Sequence, residues 1–217
     1  YGRDDLIDVR VDNSWNYHEQ ATGSTFQWNN KNFNANYGGI PKNVRLHVMG
    51  NVYQTLPLYS NLKTTGVYIY ASDFDIKNKK AIIHAESEVK NETTQPVKLN
   101  YEVLVADVEG KEVARFAGDK TTLNPQEATT LKASSLLKGL HFWSWGYGYL
   151  YSVSTIVKVD GKIVDVVNTK TGFRKTAFKN GMLYLNDRVI QAKGYAQRTS
   201  NEWPGVGTSV PAWLSDY

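Results

Sequence analysis

The chain has 217 residues, of which 41% are hydrophobic and 21% are charged. These proportions are typical of soluble domains with a packed core and exclude a largely disordered chain. The absence of cysteine excludes disulfides and thiolate metal sites, and no apolar run approaches the ~20 residues that span a bilayer. The net charge of +4 arises from basic residues scattered among acidic ones, so nucleic-acid binding is not predicted.

The N-terminal quarter of the chain is only weakly patterned. Apolar and polar residues alternate at 6–11 and again at 44–48, which predicts two short strands. Between them lies a polar stretch, 12–36, that is rich in asparagine and predicts a long loop. Loops of this length are usually functional or disordered.

From residue 66 onward the alternating segments become regular. Strands are predicted at 67–70, 81–89, 97–108, 113–116, 129–133, 149–159 and 163–167. Turn signals separate them, namely 77–80 (KNKK), 109–110 (EG), 124–125 (NP) and 160–161 (DG). About seven short strands over roughly a hundred residues predict an immunoglobulin-like β-sandwich without the cysteine pair of antibody domains.

The pattern of alternating apolar and polar residues changes after residue 173. Residues 178–190 predict a small hairpin, and 191–194 predict the beginning of a further strand. Because the chain opens and stops within such patterns, we expect it to be cut at both ends.

Residues 141–151 (HFWSWGYGYLY) contain six aromatic side chains, five of which occupy every second position of the segment. On an extended strand such residues point to one face and could form a platform for sugar rings. Gly146 and Gly148 interrupt the row and favour a turn instead. Structural packing is the preferred interpretation, with a sugar-stacking surface and an oligomer contact as alternatives.

Four stretches, in this order, resemble glycoside hydrolase family 2, which includes β-galactosidases, β-glucuronidases and β-mannosidases. They are 4–13 (DDLIDVRVDN), 36–46 (NYGGIPKNVRL), Trp143 with Leu150-Tyr151 and 171–174 (TGFR), and 180–186 (NGMLYLN) continuing to Lys193-Gly194. Where the family usually has an aromatic residue followed by arginine, this chain has Pro41-Lys42. Residues 203–207 (WPGVG) are similar to the first barrel loop of galactosidase-like members.

The resemblance implies an all-β chain with three parts. Residues 1–56 would end a jelly-roll sugar-binding domain, 57–174 would form the immunoglobulin-like sandwich, and 175–217 would begin a (β/α)8 barrel. The family is retaining, and retention uses two carboxyl groups about 5–5.5 Å apart. In the family both lie on later barrel strands, so we expect no catalytic residue here and an inactive chain whose parent hydrolyses β-glycosides.

The resemblance also implies where substrate contacts would lie. Asn32, Asn34 and Asn36 fall in a loop that leans over the barrel mouth in galactosidase-like relatives, and amides suit sugar hydroxyls because each is both donor and acceptor. The alternative is an Asn-rich turn. Arg198 matches an arginine after the first barrel strand; here Thr199 follows it where relatives usually have histidine, and a structural ion pair is the alternative.

Other candidate groups favour structural roles. Glu86 and Glu88 alternate with apolar residues on one predicted strand and fit a solvated sheet face. The four histidines, His18, His47, His84 and His141, show no metal-ligand spacing, so no metal or cofactor is predicted.

The expected partners are a carbohydrate substrate of the full-length parent and the remaining jelly-roll and barrel segments, with homo-oligomerisation left open. A cytoplasmic, a periplasmic and a secreted location are all compatible with the sequence. A non-catalytic carbohydrate-binding or adhesive sandwich module is the alternative function.

Overall fold

The computed structural model describes residues 6–10, 44–58 and 62–194. By contacts the chain divides into two units, Tyr1–His47 with Gly194–Tyr217 and Val48–Lys193, and the second contains every strand given below. The described residues of the first unit, 6–10 and 44–47, are exposed and lie outside strands. The strands expected at 6–11 and 44–48 are therefore not found in the described residues, because alternation creates a strand only where a neighbouring strand accepts its hydrogen bonds.

Two antiparallel four-stranded sheets make up most of the second unit. The first sheet contains β1 (Val52–Gln54), β2 (Val67–Asp75), β3 (Lys80–Asn91) and β6 (Ala128–Lys138). The second contains β4 (Val97–Ala106), β5 (Glu112–Leu123), β7 (Tyr151–Val159) and β8 (Lys162–Thr171), in the order β5-β4-β7-β8. In the first sheet β3 is central, with β1 and β2 along one side and β6 along the other. All seven strands predicted between residues 66 and 170 are confirmed.

The core lies between these two sheets and follows from strict alternation. Along β3 every second residue is buried, including Ile83, Ala85 and Val89, while the residues between them are partly exposed. On β4 and β7 the same period buries Val103 and Val153, which are fully inaccessible. Because alternate side chains leave a strand on opposite faces, this pattern produces one apolar face per sheet.

A few buried polar groups join the sheets. The hydroxyls of Ser87 and Tyr101 lie 2.7 Å apart across the core. Gln54 on β1 donates from Nε2 to the Thr155 carbonyl on β7 at 3.1 Å, and its backbone N–H donates to Asp165 Oδ2 on β8 at 2.8 Å. These bonds tie the short β1 strand to the opposite sheet. Breaking them would leave buried polar groups without partners, which is costly.

A small third sheet follows the sandwich. It consists of β9 (Thr176–Lys179), β10 (Met182–Leu185) and β11 (Arg188–Ile190), in the order β11-β10-β9. Its two-residue turns, Asn180-Gly181 and Asn186-Asp187, have positive φ at both positions, as type I′ turns require. The predicted hairpin is thus confirmed and gains a strand at its start, whereas residues 191–194 are not a strand.

Candidate functional site

The substrate-contact residues expected from the sequence, Asn32, Asn34, Asn36 and Arg198, lie outside the described residues. They therefore stay predictions. The structure does describe the aromatic segment 141–151, the family-like stretch 171–174 and the third sheet, and it brings these three regions together at one end of the sandwich.

The aromatic segment folds into a tight turn before β7 begins. Ser144 and Tyr147 exchange backbone hydrogen bonds, both 3.0 Å long, and Gly146 between them has a φ of 73°. The turn leaves the Trp145 side chain 75% exposed. The predicted break at Gly146 is confirmed, so the alternate rings do not form one flat platform.

The remaining rings of the segment form a column that runs from the surface into the core. His141 stacks on Tyr149 with 4.6 Å between ring centroids, Tyr149 contacts Tyr151 at 5.0 Å, and Tyr151 contacts Phe173 at 5.4 Å. Tyr151 and Phe173 are each only 2% exposed. The Tyr151 hydroxyl accepts a hydrogen bond from the His141 backbone at 2.8 Å, and burial raises the pKa of this phenol. Packing therefore accounts for these rings.

Trp143 connects this segment to the end of β8. Its backbone N–H donates to the Phe173 carbonyl at 2.9 Å, and the Arg174 guanidinium lies over its indole ring, 5.3 Å from the centroid. Gly172 permits this approach, because a Cβ at that position would lie 2.8 Å from the Trp143 Cβ. Trp143, Gly172, Phe173 and Arg174, which all belong to the third family resemblance, thus form one contact cluster.

Asn186 extends the cluster to the third sheet. Its Nδ2 donates to the Trp143 carbonyl at 2.9 Å, and its Oδ1 accepts from the Lys175 backbone at 3.0 Å. The Asn186 backbone in turn donates to the Lys175 carbonyl at 2.8 Å. We call the cluster of Trp143, Gly172, Arg174, Lys175 and Asn186 the junction, since it joins the sandwich to the third sheet.

The two glutamates on β3 have structural partners. Glu86 accepts a hydrogen bond from the Tyr70 hydroxyl at 3.2 Å and pairs with Lys132 at 3.2 Å. Glu88 accepts from the Thr55 hydroxyl at 2.7 Å and from the Thr65 backbone at 3.1 Å, and so holds the segment before β2. These contacts agree with the solvated sheet face expected for this strand.

Metal-ligand chemistry has no support in the part of the chain that the structure describes. Within those residues no group of three or more histidine or acidic side chains is arranged to hold a metal ion. The same residues contain no helix that is long and apolar enough to cross a membrane.

The role of Asn186 was not predicted from the sequence, although the residue lies in the family-like stretch 180–186. Its signal was local: an Asn-Asp pair between two short apolar runs favours a type I′ turn. That signal explains the backbone of Asn186 but not its side-chain bonds to residues 43 and 11 positions away. Only the folded chain brings Trp143 and Lys175 to the same amide.

Comparisons with known proteins agree with this architecture. The family model for glycosyl hydrolases family 2 matches residues 67–174. A β-glucuronidase from Formosa agariphila is 30% identical over this whole chain, which covers 22% of its length. A β-galactosidase from Priestia megaterium is 26% identical over 67% of this chain and 14% of its own length.

A solved structure is similar as well. A β-glucuronidase from glycoside hydrolase family 2 superposes on 76% of this chain and 17% of its own, with a TM-score of 0.68 and 28% identity. This chain therefore spans less than a quarter of each of these relatives. The family match therefore assigns the sandwich, residues 67–174, to glycosyl hydrolases family 2.

Proposed function

We propose that this chain is the non-catalytic scaffold segment of a retaining β-glycosidase, with both catalytic carboxyl groups elsewhere in the parent polypeptide. Its parts would be the end of a jelly-roll at 1–56, the sandwich at 57–174 and the start of the catalytic barrel at 175–217. The junction is the observation that carries this proposal. It fixes the direction in which the chain leaves the sandwich, and a scaffold needs that property.

The junction suits this role because several of its bonds converge on Trp143 and support one another. Trp143 is held by the Phe173 carbonyl, by the Arg174 guanidinium and by the Asn186 amide. Lys175 adds an ion pair with Asp187 at 2.6 Å on the turn that carries Asn186. Functional groups must be held to within about 0.5 Å by rigid elements, so a stiff connection before a catalytic domain has a direct use.

The substrate class we propose is a β-linked glycoside. The similarity of 203–207 to galactosidase-like loops favours a β-galactoside, whereas the relative from Formosa agariphila is a β-glucuronidase. Both substrates therefore belong in the test. Asn32, Asn34, Asn36 and Arg198 would line the substrate subsite of the parent.

The test compares the 217-residue chain with the complete product of its source gene. Both proteins are assayed on nitrophenyl β-galactoside and nitrophenyl β-glucuronide, and the anomer formed first is identified by proton NMR. We expect the chain alone to be inactive and the complete product to release the β-anomer from one substrate. Hydrolysis by the chain alone, or release of the α-anomer, would contradict the proposal. A complete product that binds glycans and hydrolyses neither substrate would support the alternative module.

Arg198 gives a residue-level test in the complete product. Arg198→Ala should raise KM by about ten- to hundredfold, because a lost charge-assisted bond to substrate costs ~1.5–3 kcal/mol. Arg188→Ala, on the exposed β11 strand, is the matched control and should leave KM unchanged. Equal effects of the two substitutions would argue against a substrate contact at Arg198.

A further inference from the structure

The outer face of the first sheet carries a polar trough that the scaffold role does not use. Its volume is about 470 Å³, and its walls and floor are formed by Tyr70, His84, Glu86, Asp119, Lys132 and Ser134. We call this feature the outer trough. It draws its side chains from four strands, β2, β3, β5 and β6.

Strand register explains why these groups converge. Tyr70 lies opposite His84, and His84 lies opposite Ser134, so the three form one row across the sheet. The next row contains Tyr68, Glu86 and Lys132. Because directly opposed side chains lie about 4.5–5.5 Å apart at Cβ, each row is a continuous strip of groups that point outward.

An aromatic stack borders the outer trough, with Tyr70 in its lining and Tyr68 next to it in the row that contains Glu86. Tyr68 stacks on Tyr70 with 5.1 Å between centroids, and Tyr70 stacks on His84 at 4.6 Å with an interplanar angle of 12°. Tyr68 ends this stack and is 62% exposed. An exposed ring at the end of a fixed stack offers a face to an apolar surface of a ligand at low entropic cost.

The orientation of His84 is fixed by a chain of hydrogen bonds. The Ser72 hydroxyl donates to Asp73 Oδ2 at 3.0 Å, and its oxygen lies 2.8 Å from His84 Nε2. Because the Ser72 hydroxyl proton is donated to Asp73, the Nε2–H of His84 donates to the Ser72 oxygen. A bulge between Ser72 and Asp75, with Asp73 at a φ of 48°, produces this local geometry.

Charged groups of both signs face the rings. The Tyr70 hydroxyl and Lys132 both contact Oε1 of Glu86, so within the described residues Oε2 is available as an acceptor. Asp119 on β5 accepts from the Lys132 backbone at 2.8 Å through Oδ2. The trough therefore combines an ammonium donor with carboxylate and hydroxyl acceptors beside an imidazole ring.

The wall opposite the rings depends on a close approach of β5 to β6. A Cβ at Gly118 would lie 2.5 Å from the Lys132 carbonyl oxygen and 2.7 Å from the Ala133 Cβ. Glycine alone allows this contact, and it brings Asp119 to the rim of the trough. The polar groups are therefore held at fixed separations.

We propose that the outer trough is a carbohydrate-binding site for a neutral hexose or a short neutral glycan. A sugar ring presents C–H groups on its face, which suit Tyr68, and hydroxyls at its edge, which suit Glu86, Lys132 and Ser134. The two carboxylates disfavour an anionic sugar such as a glucuronide. This site is additional to the proposed scaffold role and does not depend on whether the parent hydrolyses glycosides.

The test is a titration of the ¹⁵N-labelled 217-residue chain with methyl β-galactoside, lactose and methyl β-glucuronide, followed by NMR. We expect saturable shifts of backbone amides in 68–70, 84–86 and 132–134 with the two neutral sugars, and weaker binding of the glucuronide. Tyr68→Ala should weaken binding about tenfold, because a stacked aromatic ring is a dominant contact of such sites.

The matched control is Trp145→Ala, since Trp145 is also a highly exposed aromatic residue but lies on the turn before β7. It should leave the titration unchanged, whereas Lys132→Met should weaken binding. Absence of saturable shifts with the neutral sugars would overturn the proposal. So would binding that is lost in Trp145→Ala and kept in Tyr68→Ala, because the sugar would then stack on the turn.

Discussion

At the scale of single residues, Asn186 shows how one side chain can serve two purposes. Its φ of 49° suits the turn between β10 and β11, and its amide joins Trp143 and Lys175. Asn180 occupies the equivalent position of the preceding turn, with a φ of 51°, and is exposed. The pair separates the effect of the backbone from the effect of the side-chain bonds.

We expect Asn186→Ala to destabilise the protein by ~1–3 kcal/mol more than Asn180→Ala, because only the first substitution removes two hydrogen bonds. The strain of alanine at positive φ is common to both variants and cancels in the comparison. Urea unfolding followed by tryptophan fluorescence measures the difference. Equal losses of unfolding free energy would mean that the Asn186 side chain does not stabilise the junction.

Tyr101 leads to a prediction about pH. Burial raises the pKa of its phenol to about 12 from a usual value of 10.0, although its bond to Ser87 opposes the shift. A raised pKa in the folded state means that its contribution is fully present below about pH 10 and is lost as the pH rises toward 12.

The free energy of unfolding should therefore fall by ~2 kcal/mol between these pH values on account of this residue. Tyr101→Phe removes the ionisable group, so the unfolding free energy of this variant should depend less on pH over the same interval. Loss of the hydrogen bond to Ser87 should lower that free energy by a constant amount at every pH. Urea midpoints at several pH values measure this. Parallel pH profiles for the two proteins would contradict the assignment.

At the scale of elements, the alternation of β3 was predictable, while the approach of β5 to β6 was not. Apolar residues at every second position of β3 imply one buried face wherever the strand is placed. The Gly118 contact depends on which strand lies opposite, and sequence spacing carries no such information. The rings of 141–151 show the same division, since Gly146 predicts a turn but not the column that ends on Phe173.

Gly118→Ala should destabilise the protein by ~1–3 kcal/mol, because the added methyl group meets a backbone oxygen and the Tyr101 ring, neither of which can move freely. Gly148→Ala is the matched control, as its Cβ would meet only Trp143 Nε1 at an ordinary 3.7 Å. Thermal unfolding compares them. A loss for Gly148→Ala as large as that for Gly118→Ala would contradict the steric argument.

At the scale of the whole molecule, stability should be greatest in the sandwich. β3, β4 and β7 each have neighbours on both sides and supply much of the core, whereas the third sheet has short strands with mostly exposed side chains. Amide hydrogen exchange should therefore be slowest in β3, β4 and β7 and faster in β9 and β11. Slower exchange in the third sheet than in these three strands would contradict this expectation.

The sequence by itself determined the all-β class, the seven sandwich strands and most of their turns. These features depend on the period of apolar residues and on turn residues such as Asp160-Gly161, which act over a few positions of chain. The expected roles of Asn32, Asn34, Asn36 and Arg198 stay predictions, since they rest on resemblance and lie outside the described residues.

Only the tertiary structure decided how distant groups meet. It joined Trp143 to Arg174 and Asn186, and it set Tyr68 and Tyr70 beside Glu86 and Lys132. The physical reason is that strand pairing sets these contacts across tens of residues, and any strand with the right alternation could have been the neighbour. Local patterns therefore fix which face of a strand is buried, while register and sheet order fix which polar groups share a site.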